Sequence, residues 1–276
     1  MKRVIVSDAF DDLRFRDYRF LEEASQLGAL HVLLWSDDAV RAATGQTPKF
    51  PQAEREYSLQ AIRHVASIAL LRGANNTEAL PEIGGGGGAK PDIWVVPQSA
   101  DAPAKRQWAR QAGIEYRVIP EAVLQLVPPA PPVPANPHTA REKVVVTGSF
   151  DWFHSGHVRF FEECAQLGDL YVFVGHDDNI KLLKGPGHPL FPAAQRRYIP
   201  ACIRYVQEAY ITTGHGWMDA EPDFERFHPD IYAVNEDGDK PDKLEFCQKH
   251  GIEYRVLKRL PKPGLPRRQS TVLRGF

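Results

Sequence analysis

His154 and His157 stand three residues apart in the run Gly148-Ser149-Phe150-Asp151-Trp152-Phe153-His154-Ser155-Gly156-His157. Imidazole N–H groups donate hydrogen bonds to phosphate oxygens, and glycines at 148 and 156 let backbone come close to such a ligand. The run also lies just before a helix, whose first N–H groups are free and whose dipole is positive at that end. Residue type and position together point to binding of a phosphate-bearing ligand and stabilisation of charge on it.

The flanking pattern supplies the elements that would hold these side chains. Val144-Val145-Val146-Thr147 is a β-branched run too short for a helix and predicts a buried parallel strand. From His157 the apolar residues recur at helical spacing: Val158, Phe161 and Ala165 form one row, with Phe160, Cys164 and Leu167 beside it. Gly168 is expected to close that helix in the left-handed conformation. Strand, turn and helix put the imidazoles at a strand's carboxyl end, where parallel α/β sheets bind ligands.

The pattern G-S-F-D-x-F-H-S-G-H between strand and helix resembles the G-x-F-D-x-x-H-x-G-H signature of the nucleotidyltransferases. More narrowly, it is similar to the cytidylyltransferases that act on glycerol phosphate, phosphocholine or phosphoethanolamine. The resemblance implies that Gly148, Ser149, Phe150, Asp151 and Gly156 bind nucleotide. It also implies that His154 and His157 act on the α-phosphate. In Asp177-Asp178-Asn179-Ile180-Lys181-Leu182-Leu183-Lys184-Gly185-Pro186, Lys184 matches a phosphate-binding lysine of the family, and Lys181 matches it less well. Arg196 matches an arginine at a helix start, ahead of Arg204-Tyr205-Val206-Gln207-Glu208. Asp237 lies in the polar stretch 235–239, which the family places near the nucleotide and which would otherwise be a Mg²⁺ site or a plain turn. The segment 264–274 resembles the family's R-x-x-G-I-S-T-T, so Ser270 and Thr271 carry over as phosphate-binding residues. Gln269 replaces a hydroxyl there, and Arg268 takes the arginine's role at an unusual distance. The implied reaction is transfer of CMP from CTP to a small phosphorylated acceptor, with Mg²⁺ as cofactor and pyrophosphate as product. ATP is the alternative donor, because adenylyltransferases carry the same signature. A non-catalytic nucleotide-binding regulatory protein is a further alternative.

The chain is internally duplicated. Offset by 140, Phe10–Asp38 lies over Phe150–Asp178 without a gap, with 13 of 29 positions identical. Gly113–Val118 and Gly251–Val256 share the sequence GIEYRV. Each copy predicts strands alternating with helices: Val4–Ser7, Tyr18–Leu27, His31–Trp35, Ile93–Val96 and Tyr116–Ile119 in the first. The second has Val144–Thr147, His157–Leu167, Tyr171–Gly175, Ile231–Val234 and Tyr254–Leu257. The fold class is therefore α/β, two tandem Rossmann-like domains, each a parallel sheet with helices on both faces. The expected domains are 1–127 and 143–276, joined by a proline-rich spacer over 128–142. The copies diverge at the chemistry: Arg14-Phe15-Arg16-Asp17 stands opposite His154-Ser155-Gly156-His157, and Asp8-Ala9 opposite Gly148-Ser149. The first copy is thus expected to be silent, with a new anion site at Arg14 and Arg16 as the alternative. Arg196 is kept as Arg55, so a structural role for it weighs equally with a catalytic one. Cytidylyltransferases of this type pair their nucleotide-binding domains, which implies an intramolecular pseudo-dimer of the two copies.

Bulk properties exclude some classes. A formal net charge of −1 over 276 residues gives no footprint for nucleic acid or an acidic membrane. Three cysteines without a C-x-x-C pair fit reduced thiols and a cytoplasmic protein. The run MKRVIVSDAF is too short a hydrophobic stretch for a signal peptide, and no membrane span is expected. Gly84–Gly88 lacks the Gly-Lys-Ser/Thr of a phosphate loop and reads as a flexible insertion.

Overall fold

The computed structural model describes residues 1–72, 80 and 90–273, except the side chain of Thr271; the glycine run at 84–88 lies outside them. The chain divides into two compact units, Met1–Leu126 and Val127–Phe276. The first unit contains β1 (Arg3–Asp8), α1 (Phe15–Ser25), β2 (Ala29–Trp35), α2 (Asp37–Thr44), α3 (Gln52–Gln60), β3 (Val65–Leu71), β4 (Ile93–Pro97), α4 (Pro103–Ala112), β5 (Glu115–Ile119) and α5 (Glu121–Leu124). The second contains β6 (Lys143–Gly148), α6 (Ser155–Leu167), β7 (Asp169–Val174), α7 (Asp177–Lys184), α8 (Ala193–Ala201), β8 (Val206–Ile211), α9 (Glu221–Phe227), β9 (Ile231–Asn235), α10 (Pro241–His250), β10 (Glu253–Leu257) and α11 (Ser270–Leu273).

Both sheets are five-stranded and parallel, with orders β3-β2-β1-β4-β5 and β10-β9-β6-β7-β8. Each is therefore the same path, read from opposite edges. Consecutive residues of a strand face opposite sides, and Val144, Val145 and Val146 are all 0 % exposed, so β6 is covered on both faces. The chain leaves β6 toward β7 and later returns to its other side as β9, which opens a crevice beyond the carboxyl ends of β6 and β9. In the second unit Val145, Phe173, Tyr210, Phe224, Phe227 and Tyr232 pack into one core; Ile5, Leu33, Trp94, Val96 and Ala109 do so in the first. Cys164, Cys202 and Cys247 are buried and unpaired. No helix among the described residues is long and apolar enough to cross a membrane.

Three details differ from the sequence expectations. Each sheet has a fifth strand, β3 or β8, on the edge beside β2 or β7. Helix α6 begins at Ser155, with His154 as its N-cap. Gly168 is extended, with φ 176°, so handedness is not what selects it. Space is: a Cβ there would lie 2.1 Å from the Glu142 carbonyl oxygen, which accepts the Asp169 N–H at 2.8 Å as β7 begins beside β6. Gly28 has the same relation to Lys2 O, at 2.2 Å. The proline-rich stretch has neither helix nor strand and is packed on the second unit. Val133 joins that unit's core, and the Pro128 and Pro129 carbonyls accept from Arg197 at 3.0 and 3.2 Å.

Gly168→Ala is expected to lower the stability of the second unit by more than about 2 kcal/mol, because backbone must move to admit the methyl group. Urea unfolding measures it, and an unchanged midpoint would show that the start of β6 yields freely.

Candidate active site

Strand β6 ends at Gly148, and the chain turns sharply through Phe150, whose φ of 45° is left-handed. A Cβ on Gly148 would touch the Phe150 ring at 2.9 Å, so the glycine leaves room for the turn. His154 then caps α6. Its Nδ1 accepts the Gly156 N–H at 3.1 Å, while the His154 N–H donates to Nδ1 of His157 at 3.3 Å. These bonds satisfy donors that a helix start would otherwise leave free. They also set the tautomers. With both Nδ1 atoms accepting, each neutral ring carries its proton on Nε2. The rings stack with centroids 4.0 Å apart, and His157 lies between Phe150 and Phe153, each at 5.3 Å.

Both imidazoles are held neutral. Burial, followed by the charges of Arg259 and Arg268, pushes His154 down to about 3. Burial, His154, Arg259 and Lys184 push His157 well below the usual histidine range. His154 is 5 % exposed, and its Nε2 is buried without a hydrogen-bond partner among the described residues. A buried donor left unmatched costs free energy, and here it belongs to a ring lining a cavity.

That cavity, of about 150 Å³, lies at the carboxyl ends of β6 and β9. Of the residues expected from sequence, Gly148, Ser149, Phe150, His154, Gly156, His157 and Asp237 line it. Lys184 reaches the same strand end by donating to Ser149 Oγ at 2.7 Å. Arg268 lines an adjoining groove with Gly156, Lys258 and Arg267. Ser270 donates its hydroxyl to the Trp152 carbonyl at 3.1 Å, tying the segment before α11 to the histidine turn, and does not line the cavity. The Thr271 side chain is outside the described residues.

Asp151 and Arg196 sit behind the site as scaffold. Asp151 accepts the N–H groups of Leu190 and Phe191 at 2.7 and 3.1 Å. The Arg196 side chain is 1 % exposed; it donates to the carbonyls of Phe191, Ser149 and Gly175 and to Asp177. Asp11 and Arg55 make the matching bonds in the first unit. Neither lines the cavity; they hold the loops that present Ser149.

Arg259 was not anticipated. It lines the cavity, pairs with Asp237, donates to the Arg268 carbonyl at 3.2 Å and depresses both imidazoles. The signal was present: at the GIEYRV offset its counterpart is Glu121, a charge reversal between the two copies. Lys243 also lines the cavity, but it donates to Gly238 O as Lys105 does to Ala100 O, a bond shared by both units. For Mg²⁺ the cavity offers a single carboxylate among the described residues, beside the neutral oxygens of Thr147, Ser149 and Asn235. That carboxylate is Asp237, and Arg259 holds it. The described group of metal-ligand side chains, Glu221, Glu225 and His250, includes no cavity residue.

Ring resonances of His154 and His157 are expected to stay at neutral positions from pH 5 to 8 in a histidine NMR titration; a transition near 6.5 would contradict the buried tautomers. The folded values lie below that of an unfolded histidine, near 6.5. The unfolded chain therefore takes up protons first on acidification, and stability present above pH 6.5 falls progressively as the pH drops toward 3. Gly156→Ala would set a methyl 2.9 Å from the His154 ring and displace it. Its expected effect is at least a tenfold loss of turnover without loss of fold, checked by assay and circular dichroism.

A cytidylyltransferase-like family model matches residues 145–253. The chain is 39% identical over 124 residues to the FAD synthase of Thermococcus kodakarensis, covering 42% of this chain and 78% of that protein. It is 36% identical over 120 residues to the FAD synthase of Ferroglobus placidus, covering 42% and 75%. A shorter similarity, 48% over 67 residues, is to the bifunctional protein HldE of Vibrio atlanticus, covering 24% of this chain and 14% of that one. The solved lipopolysaccharide core biosynthesis protein of Thermoplasma volcanium GSS1 aligns over 45% of this chain and 99% of its own, with 24% identity and a TM-score of 0.37. The histidine-capped turn over the β6–β9 crevice agrees with the family match and the two FAD synthases: the chain belongs to the cytidylyltransferase-like family of nucleotidyltransferases.

Proposed function

We propose that the second unit transfers AMP from ATP to a small phosphorylated acceptor and releases pyrophosphate. The observation that carries the reading is the pair of neutral imidazoles with Nε2–H donors, one of them without a partner among the described residues, at a cavity lined by Arg259 and by Ser149, to which Lys184 donates. Adenylyl rather than cytidylyl transfer is supported by the relatives named FAD synthase, a name that describes joining AMP to a flavin phosphate. FMN is accordingly the first acceptor to test. CMP transfer from CTP remains the second reading, favoured by the description of the family model.

An oxygen of the acceptor's phosphate attacks the α-phosphorus in line. The new phosphorus–oxygen bond forms as the bond to the bridging oxygen of the β-phosphate breaks, and pyrophosphate leaves. The nucleophile is already anionic, so the protein need not remove a proton. The chain's part is to position the phosphates and stabilise spread negative charge. His154 and His157 donate from Nε2 to a non-bridging α-phosphate oxygen. Arg259, Lys184 and Arg268 offset charge on the remaining phosphates. Mg²⁺ brought by the triphosphate would supply further charge neutralisation, with Asp237 the one carboxylate lining the cavity among the described residues.

The test is pyrophosphate release by the purified protein with ATP or CTP against FMN, phosphoethanolamine and glycerol phosphate. A preference for ATP of tenfold or more is expected; the reverse preference would establish CMP transfer instead. His157→Ala is expected to lower kcat/KM about a hundredfold or more, and Arg259→Ala at least tenfold. A wild-type rate in folded His157→Ala would end the proposal.

A further inference from the structure

Each unit has its own crevice at the strand ends, and the duplication allows them to be compared residue by residue. In the second unit Gly156 leaves the crevice open beside Arg259 and Asp237. In the first, Arg16 stands at the position of Gly156, Ser99 at that of Asp237 and Glu121 at that of Arg259. These three replacements are bonded to one another. Arg16 Nε donates to Glu121 Oε2 at 2.7 Å, and Nη2 donates to Ser99 Oγ at 2.6 Å and to the other Glu121 oxygen. The guanidinium thereby runs from the first turn of α1 to the chain just beyond β4 and β5, across the opening that the glycine leaves in the second unit.

The groups around this bridge are acidic where the second unit has neutral ones. Arg16 holds Glu121 down to about 2, so the pair stays ionised. Arg14, the other cation of the turn, pairs with Asp12 at 2.7 Å. Asp8 and Asp17 replace Gly148 and His157, and Asp17 is pushed up to about 6, first by desolvation and further by Asp8. A phosphate entering this crevice would face acids, with the Arg16 donors committed to Ser99 and Glu121. This decides against a new anion site at Arg14 and Arg16.

We propose that the Arg16–Glu121–Ser99 bridge closes the first unit's crevice as a built-in stand-in for ligand, so that the chain binds one nucleotide, in the second unit. The proposal does not depend on which base that nucleotide carries.

The tryptophans report on each crevice separately. Trp35 Nε1 donates to Ser7 Oγ at 2.9 Å at the carboxyl end of β1, while Trp152 lies in the histidine turn of the second unit. The full chain with ¹⁵N-labelled tryptophan is titrated with inorganic pyrophosphate and with ATP, following the indole signals. The expected result is a saturable shift of Trp152 with Trp35 unmoved at tenfold higher concentration. A saturable Trp35 shift within tenfold of the Trp152 midpoint would overturn the proposal. If Trp152 also stays still, the nucleotidyl-transfer reading of the second unit falls, and the first unit is decided by a reopened variant. In Arg16→Gly/Asp17→His/Glu121→Arg, which restores the second unit's residue types, Trp35 is expected to respond. If that variant is folded and silent, closure is not what disables the crevice. Glu121→Ala alone is expected to change turnover less than twofold; a tenfold loss in a folded protein would also overturn the proposal.

Discussion

The chemistry of this protein depends on how one helix satisfies its first N–H groups. An N-cap is usually a hydroxyl, amide or carboxylate that accepts from the backbone. In α6 the acceptors are two imidazole Nδ1 atoms, and the choice has a consequence no hydroxyl would bring. An imidazole that accepts at Nδ1 must, when neutral, donate at Nε2, so the bonds that start the helix also aim two donors away from it. Helix stability and ligand recognition are thus one constraint. In α1 the same backbone need is met by Asp17, whose carboxylate accepts the Arg14 N–H at 2.8 Å. The helix forms equally well, but the outward face becomes an acceptor and repels what the imidazoles would hold.

Duplication separates scaffold from chemistry within a single chain. Phe10 and Phe150 share a left-handed backbone, Asp11 and Asp151 hold the same loop N–H groups, and Arg55 and Arg196 bind the corresponding carbonyls. Tyr116 and Tyr254 donate to Asp101 and Asp239 in parallel fashion. None of these distinguishes the two crevices, so none is the source of the difference between them. The buried guanidiniums are instructive. Each takes the last carbonyls of neighbouring loops that a parallel sheet leaves unpaired at its carboxyl end, which would otherwise be a cost of making the crevice. The differences that bear charge or open space, at Gly148, His154, Gly156, His157, Asp237 and Arg259, all line the cavity, with smaller changes beside them at Thr147, Ser149, Asn235 and Gly238.

Much of this was legible before the fold. The β-branched run of β6, the helical spacing of α6 and the repeat itself fixed the central strands, and the histidine turn located the crevice. The edge strands β3 and β8 were missed because an edge strand lacks a continuous apolar run; in β3, Ala66, Ser67 and Ala69 are exposed. Gly168 was assigned for a physical reason that proved different, since a sequence shows a glycine but not the carbonyl oxygen that excludes its Cβ. Arg268 was given the arginine's role from the resemblance of its segment, at an unusual distance; the chain beyond β10 brings Arg259 to the cavity wall, with Arg268 in the groove beside it. Spacing along a segment without helix or strand does not determine where its side chains arrive.

The cations and the imidazoles are best understood together. Arg259 and Arg268 disfavour a proton on His154, and Arg259 and Lys184 disfavour one on His157, so without an anion the site stays neutral at its centre and positive at its rim. A polyphosphate reverses each of these influences. In the proposed complex its charge would offset the rim cations, and its oxygens would give the His154 Nε2–H the partner it lacks among the described residues. In the proposed transfer, negative charge that builds on the α-phosphate would strengthen those hydrogen bonds further, so the pair would stabilise the transition state more than the bound nucleotide. Burial keeps this response from being screened by water. The same burial makes the arrangement costly in an empty fold, which is why the first unit, once its imidazoles and glycines were replaced, could settle into a crevice filled by its own ion pair.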